Sequence, residues 1–523
     1  MHVGEKEMQA KHPSDVIGDW GPIQRRIVLI CMITYFVAPF NNMAIIFWIA
    51  KYDFYCNYQD PSGSIVTLKN ECNYKLDGVN HKCSNFTYET SVYKRTLVSE
   101  FDLVCDRAYF GSLAQSMHQF GYMVSGNLIG FISDRYGRLF SVKLSLILEI
   151  LAGFAQAFAP SIYWFMGARF FVGIAAYGRF LSCFVLTAEW VGPKIRPQTT
   201  IVYEFGYAFA NIFVPFCFWL NTDYFAMQTT VSTIEVIMLL IFWLTVWESP
   251  RWLLTQGRYD KAEEHLRAAA KANNSLHDAE IDRRIKDLRI NYVKQFEEER
   301  ASEKKREGLT DVWKVPALLK LSLILYYTWL TFAFIGYGSA FNIGSLGGSI
   351  FISYTISALS SLTTNILMFF IIDRFPRKKF IMSCMAIVVT TLSLLILFSL
   401  DALDYYVVRV VIYFIYNGAR SATSKIYYLY TTETFPTTMR QINLGTCSFF
   451  ARIGSTTAPF VKELTAATHY TVVLGIFMGM VIVNLLLFAF VPETGDIQLP
   501  DTMIQKKKEV ELRRMSRVSQ VST

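Results

Sequence analysis

Four basic side chains fall where water is scarce. Arg179, Arg420, Lys425 and Arg452 all lie inside long apolar stretches, and Glu149 and Glu235 are the acids of comparable depth. A base at the centre of a membrane span costs roughly 2.5–3.5 kcal/mol on insertion scales, so each needs a partner or a wet cavity. Four bases against two acids leave a positive interior, which favours an anionic guest. A cation would need the opposite balance. Arg452 is the first candidate for substrate contact, because a guanidinium offers a planar, two-pronged donor set to a carboxylate. Its alternative is a structural pair with an acid on a neighbouring helix. Arg179 has the same alternative, with Glu149 or Glu235 as partner. Arg420 and Lys425 are five positions apart, about 140° around a helix, and so do not face one spot. Lys425 serves either a cavity or the packing.

A second set of charges repeats along the chain. Asp134-Arg135-Tyr-Gly-Arg138 closes one apolar segment, and Asp373-Arg374-Phe-Pro-Arg377 closes another, 239 positions on. Glu189 is followed seven positions later by Arg196, and Glu433 seven positions later by Arg440, with 244 positions between the two acids. Charge clusters of the same kind at equivalent helix ends point to a duplicated membrane bundle. Carboxylates and guanidiniums so placed can pair in one state and separate in another, which is what a gate requires. The alternative is flanking charge that only sets orientation.

The elements that must position these residues are twelve apolar spans. The first six run near 27–50, 108–132, 140–159, 162–186, 200–221 and 227–247. The second six run near 317–339, 347–372, 380–400, 405–430, 441–463 and 470–491. Each is about the length needed to cross the hydrocarbon of a bilayer. The fold class expected is therefore an all-α membrane protein of twelve transmembrane helices in two pseudo-symmetric six-helix halves, 27–247 and 317–491. With 53% hydrophobic and 18% charged residues, the chain departs from a soluble protein in the same direction. Counted from the charged ends, Arg452 lies about 17 Å deep, Arg179 about 15 Å, Lys425 about 12 Å and Arg420 about 20 Å.

The basic connections (Arg135/Arg138, Lys194/Arg196, Arg377/Lys378/Lys379 and Arg440) all fall on one side, and the opposite short turns are neutral or acidic. The positive-inside rule makes the basic side cytoplasmic, together with the N-terminal segment 1–26, the linker 248–316 and the tail 492–523. The polar first 26 residues and the long first span do not fit a cleavable signal peptide. The linker is expected to form amphipathic helices on the membrane face. The tail, basic and Ser-rich (Ser516, Ser519), is expected to be disordered near anionic lipid. Residues 51–107 form a large outer loop with Cys56, Cys72, Cys83 and Cys105. Four cysteines in an oxidising compartment give two disulfides with three connectivities. Asn85-Phe-Thr87 is a glycosylation acceptor on the same loop. Cys31, Cys183, Cys217, Cys384 and Cys447 fall in spans, as packing residues.

Several chemistries are absent from the sequence. No G-x-x-x-x-G-K-[ST] phosphate loop occurs, and Gly344-Ser-Leu-Gly-Gly-Ser349 lacks the Lys. The seven His are scattered, without metal-ligand spacing. The chain is not expected to be an enzyme or to hold a metal or cofactor. Its net charge of +8 flanks spans and accompanies no nucleic-acid reader motif. The partners implied are the lipid bilayer and a small organic ion.

Five further boxes narrow the class. Phe101-Asp-Leu-Val-Cys-Asp106, Asp134-Arg-Tyr-Gly-Arg138, Glu248-Ser-Pro-Arg-Trp-Leu-Leu254, Glu433-Thr-Phe-Pro-Thr437 and Pro492-Glu-Thr494 occur in that order. Together the chain resembles the organic-ion transporters of the major facilitator superfamily, which move organic cations, organic anions and carnitine. The resemblance implies alternating access at the plasma membrane and a gate built from Asp134, Arg138, Glu189, Arg196, Glu433 and Arg440. Arg440-Gln441 followed by Ala451-Arg-Ile-Gly-Ser455 is similar to the organic-anion branch, with exchange against a counter-anion or coupling to an ion. The resemblance also places Asn42, Trp219, Tyr337, Tyr427 and Tyr428 where the family has polar or aromatic pocket walls. The chain departs from the anion pattern at Asn365, where that branch often has Lys, and at Ser424, where it has Phe. Carriers of carnitine-like zwitterions or of organic cations are the alternatives. A non-transporting receptor on the same fold is the alternative of another class.

Overall fold

The computed structural model describes residues 10–50, 53–59, 64–76, 79–301, 316–371, 374–400, 406–435 and 437–493. The first apolar run forms α1 (Pro22–Trp48), broken at Val37 and Met43 into three pieces. Pro39, which has no amide hydrogen, lies just past the first break. The helices that follow are α2 (Tyr109–Tyr136), α3 (Arg138–Ala157), α4 (Ile162–Trp190), α5 (Arg196–Leu220) and α6 (Tyr224–Thr245). The linker supplies α7 (Pro250–Thr255), α8 (Tyr259–Asn273) and α9 (Asp278–Ala301). The second set is α10 (Pro316–Phe341), α11 (Ile350–Ile371), α12 (Arg377–Leu400), α13 (Tyr406–Thr434), α14 (Thr437–Thr457) and α15 (Tyr470–Phe488). Side-chain caps start several of them: Ser161 accepts from the Trp164 amide, and Asp223 from the Phe225 amide.

Nine of these helices are long and apolar enough, among the described residues, to cross a membrane. The remaining three of the twelve, α2, α13 and α14, are as long but carry polar residues along their length, such as Gln115, Asn417 and Arg420. The eleventh span stops at Thr457, short of the expected 463, because Pro459 opens a 3-10 turn before a short helix at Val461–Ala467.

The chain forms two compact units. The first holds Met1–Trp48, Glu89–Phe101 and Phe120–Lys304; the second holds Ile49–Tyr88, Asp102–Gln119 and Lys305–Thr523. The duplication read from the sequence recurs in the packing. In the first unit α1 lies on α5, α3 on α4 and α3 on α6; in the second α10 lies on α14, α12 on α13 and α12 on α15.

The segment before α1 is less detached than a polar leader suggests. Val16 and Ile17 are fully buried, in one cluster with Leu266, Ala270, Ile281 and Leu288 of α8 and α9. The Arg284 guanidinium donates to the Asp15 carbonyl at 2.6 Å, and the Asn273 amide to the Ile17 carbonyl at 2.9 Å. The linker helices thus bury their apolar faces on this segment and on α1. The basic tail with Ser516 and Ser519 lies outside the described residues.

The outer loop is folded. Strands β1 (Phe54–Gln59), β2 (Ile65–Lys69) and β5 (Phe86–Tyr88) make an antiparallel sheet of order β2-β1-β5, beside a hairpin of β3 (Asn73–Leu76) and β4 (Val79–Lys82). Of the three connectivities, the structure has Cys56–Cys83 and Cys72–Cys105. Asn85 is exposed, as a glycan acceptor must be. The sheet is small, with mostly half-exposed faces, so the cross-links supply much of its stability. Replacing Cys72 and Cys105 by Ser is expected to cost the loop about 2–5 kcal/mol. Limited proteolysis of purified protein should then cut between β2 and β5, while the helical part stays resistant.

Candidate functional site

At the charged ends, each unit builds the same arrangement. In the first, Arg138 opens α3 and its guanidinium meets Asp134 at 2.6 Å and Glu189, at the end of α4, at 3.1 Å. The Glu248 carboxylate, just past α6, accepts from the backbone amides of Arg138 and Leu139 at 3.1 Å and of Ser249 at 2.9 Å. A carboxylate on the first amides of a helix satisfies donors that have no intrahelical partner and complements the positive end of the dipole. Burial pushes the Glu248 carboxyl above its ordinary range, against the pull of those three amides. Gly137 makes the approach possible. It sits at φ +117°, and a side chain there would meet Glu248 Cδ at 3.1 Å and the Trp252 ring at 3.3 Å. Trp252 in turn donates its indole N–H to the Asp134 carbonyl at 2.9 Å.

In the second unit Arg377 opens α12 and lies 3.6 Å from Glu433 near the end of α13. The Glu493 carboxylate accepts from the Lys378 amide at 3.1 Å. The sequence exposed one part of this repeat and missed the other: Glu248 and Glu493 were read as signature boxes, not as caps. Their similar distances from the two helix starts, 110 and 116 positions, are the signal in the sequence. Other expected gate residues are placed differently. Arg135 is exposed over the Phe131 and Tyr136 rings, and Arg374 is exposed. Arg196 Nε donates to the Ala188 carbonyl at 2.9 Å, and its Nη2 lies 3.5 Å from His12. Asp373 and the side chain of Arg440 lie outside the described residues.

Deep in the first unit, Arg179 is committed to protein. Its guanidinium holds Glu149 through two bonds, at 2.6 and 2.9 Å, and also donates to the Thr34 carbonyl. Asn41 donates to Glu149 at 2.8 Å and to Glu235 at 2.7 Å, so one amide bridges both acids. All four side chains are at most 1% exposed. This corrects the expectation that Arg179 meets substrate: its donors face a carboxylate and a carbonyl of its own unit. A further base, Arg169, was not singled out from the sequence. It is fully buried, donates to the Asn41 carbonyl at 2.6 Å and lies over the Trp48 ring. Asn42, the expected pocket residue, is buried beside Tyr207 at 3.3 Å, next to a tyrosine cluster in which Tyr35 stacks on Tyr203 at 4.7 Å. Trp219 sits in the last turn of α5, 63% exposed and stacked on Phe216, so it does not wall a site at mid-depth.

The second unit has a different balance. Arg420 is the middle residue of the 29-residue α13, about 21 Å from either end. Its guanidinium donates to Asn417 at 3.0 Å and lies over the Phe332 ring, against Gly336. Lys425 is half-buried, with no ion pair or hydrogen bond among the described residues. Arg452 is half-buried on α14. The helices α10, α11, α12, α14 and α15 contain no Asp or Glu, and α13 contains only Glu433 near its end. Tyr337 is half-buried and stacked on Phe341, and Tyr427 is buried with its hydroxyl 3.4 Å from Asn484. Tyr428 is half exposed, its ring edge-on to Trp329.

The sequence model of the Major Facilitator Superfamily matches residues 106–459. An organic cation transporter protein of Drosophila melanogaster is 26% identical, with 93% of this chain and 92% of the relative aligned. Solute carrier family 22 member 3 of Mus musculus is 30% identical over 79% of this chain and 72% of its own length. Organic anion transporter 3 of Sus scrofa is 28% identical over 82% and 77%. Among solved structures, the xylose transporter XylE from E. coli in an inward-open conformation superposes with a TM-score of 0.65 at 16% identity, covering 91% of this chain and 98% of that one. That last likeness concerns the fold alone.

The buried cluster yields a test. Arg179→Ala leaves two carboxylates facing each other in a dry site, and is expected to cost about 3–5 kcal/mol. Adding Glu149→Gln should restore part of the loss. Thermal unfolding of purified protein measures both; a single variant that lost uptake at unchanged stability would return Arg179 to the substrate.

Proposed function

The chain belongs to the major facilitator superfamily, in the solute carrier 22 group of organic cation and organic anion transporters, and from that premise we propose that it carries organic anions by alternating access. It is a multi-pass membrane transporter of small organic ions, and it is not an enzyme. The finer reading is a plasma-membrane carrier of carboxylate-bearing molecules, exchanging one anion for another, with both termini cytoplasmic. The basic connections support that orientation by the positive-inside rule, as do the two disulfides and the exposed Asn85 on the opposite side.

One observation carries the anion reading: the surplus positive charge lies in the second unit. In the first, Arg169 and Arg179 are matched in number by Glu149 and Glu235, and the Arg179–Glu149 pair is already formed. In the second, Arg420, Lys425 and Arg452 occupy spans whose only acid is Glu433 near a helix end. A base held that deep is costly, and a carboxylate guest offsets the cost. Lys425 compensates for Asn365, where the anion branch often has Lys. A carnitine-like zwitterion is the second reading: it uses the same Arg452 for its carboxylate and needs an aromatic ring face for its quaternary ammonium.

The clusters at Asp134, Arg138, Glu189, Arg377 and Glu433 act as the gate in this reading, with Glu248 and Glu493 fixing the helix starts that carry the two arginines.

Uptake of a labelled aromatic carboxylate, of carnitine and of tetraethylammonium in the same cells tests the assignment. Wild type should accumulate the carboxylate, and Lys425→Ala and Arg452→Asp should each lower that uptake at least about tenfold at equal surface expression, the loss of one charged contact. Uptake of tetraethylammonium alone would overturn it. Gly137→Ala and Asp134→Asn should also slow transport in correctly trafficked protein; unchanged rates would leave those charges a topological role only.

A further inference from the structure

A cavity of about 290 Å³ opens where the end of α6 meets the start of α3 and the linker helices. That is near the lower end for small-molecule sites, the size of a single polar headgroup. Its lining combines three aromatic rings, Tyr136, Trp247 and Trp252, with Arg258, Lys261 and His265. Lys261 and His265 are four apart on α8 and so share a face. Arg258 lies over the Trp252 ring, and His265 stacks on Trp247 while its Nδ1 meets the Glu248 carbonyl at 3.1 Å. Glu248 also lines the cavity, but its carboxylate is directed at the amides of Arg138, Leu139 and Ser249. The outward-facing chemistry is therefore basic.

The neighbouring surface is strongly apolar. Phe140, one residue beyond the lining Leu139, is 49% exposed; Leu244, two before the lining Val246, is 80% exposed, and Trp243 61%. Lys143 lies over the Trp243 ring at 4.6 Å, and Arg26 over Trp247 at 5.6 Å. Bases over tryptophan rings beside exposed aliphatic and aromatic groups match the level of lipid headgroups. A lipid phosphate seated between Arg258 and Lys261 leaves the acyl chains of that lipid along Phe140, Trp243 and Leu244.

We infer that this cavity binds the phosphate-bearing headgroup of an anionic phospholipid of the cytoplasmic leaflet. The leaflet rests on the orientation proposed above; the binding does not. Because Trp252 holds the Asp134 carbonyl and Glu248 caps α3, an occupied cavity braces the turn that carries Arg138.

The full-length protein in phosphatidylcholine nanodiscs, with or without a minor fraction of phosphatidylinositol 4,5-bisphosphate, tests this without any transport assay. The unfolding midpoint should rise with the phosphoinositide. Arg258→Gln/Lys261→Gln, which removes both charges at two exposed positions and leaves polar side chains there, should weaken the interaction about thirtyfold and abolish the rise. A control lacking two other linker bases, Arg283→Gln/Lys286→Gln, should retain it. No rise in wild type, or equal loss in the control, overturns the site. The same rise with soluble inositol trisphosphate in plain phosphatidylcholine overturns the lipid and assigns the cavity to a free phosphate compound.

Discussion

The pair between Arg179 and Glu149 is the constraint around which the buried charge of the first unit is arranged. A guanidinium and a carboxylate that are both out of water are tolerable only when matched and fully hydrogen-bonded, and here Thr34 and Asn41 complete the match. Asn41 also draws in Glu235, and the two buried acids of the first unit equal its two buried bases, Arg169 and Arg179, in number. Acidic and basic residues are thereby unevenly shared between the units: the first is balanced, and the second keeps its bases. A transporter with identical halves would have no such polarity. The repeated packing is shared by both units, and their half-buried and buried bases are not.

At the helix ends the opposite holds, and the two units have kept the same construction. An arginine starts a helix, an acid ending the next helix pairs with it, and an acid after the last helix covers the exposed amides. Asp134 is largely exposed, so its own pair adds little to stability. The buried part, Arg138 with Glu189 and the Glu248 cap, has the stiffness. That division is the one the proposed gate needs, a contact able to break without unfolding its supports.

Much of this was legible in the chain. Spans of membrane length, a basic side and a repeated Asp-Arg motif follow from composition and period, and eleven of the twelve spans start within about four residues of their expected starts. What stayed hidden depends on facing. Asn41 and Asn42 are neighbours about 100° apart on a helix, and only packing tells which one reaches the acids. Arg169 is seven residues from the start of α4 and so reads as a rim charge, yet α1 folds over it through the Asn41 carbonyl and Trp48. Depth could be counted for Arg179, but its partner could not be chosen between Glu149 and Glu235. Four cysteines likewise fix the number of cross-links and not their pairing. The comparisons add the family and leave the sign of the substrate open, since relatives named for cations and for anions match to similar extents.

The bond from Cys72 to Cys105 has a mechanical meaning. Cys105 lies four residues ahead of α2, and Ser112 in the first turn of that helix is held by Glu463. The outer sheet is therefore yoked to the helix that ends in the Asp134 motif on the far face of the bilayer. Any tilt of that rod is passed on as a swing of the sheet, where an antibody fragment raised against the sheet would both sense it and arrest it.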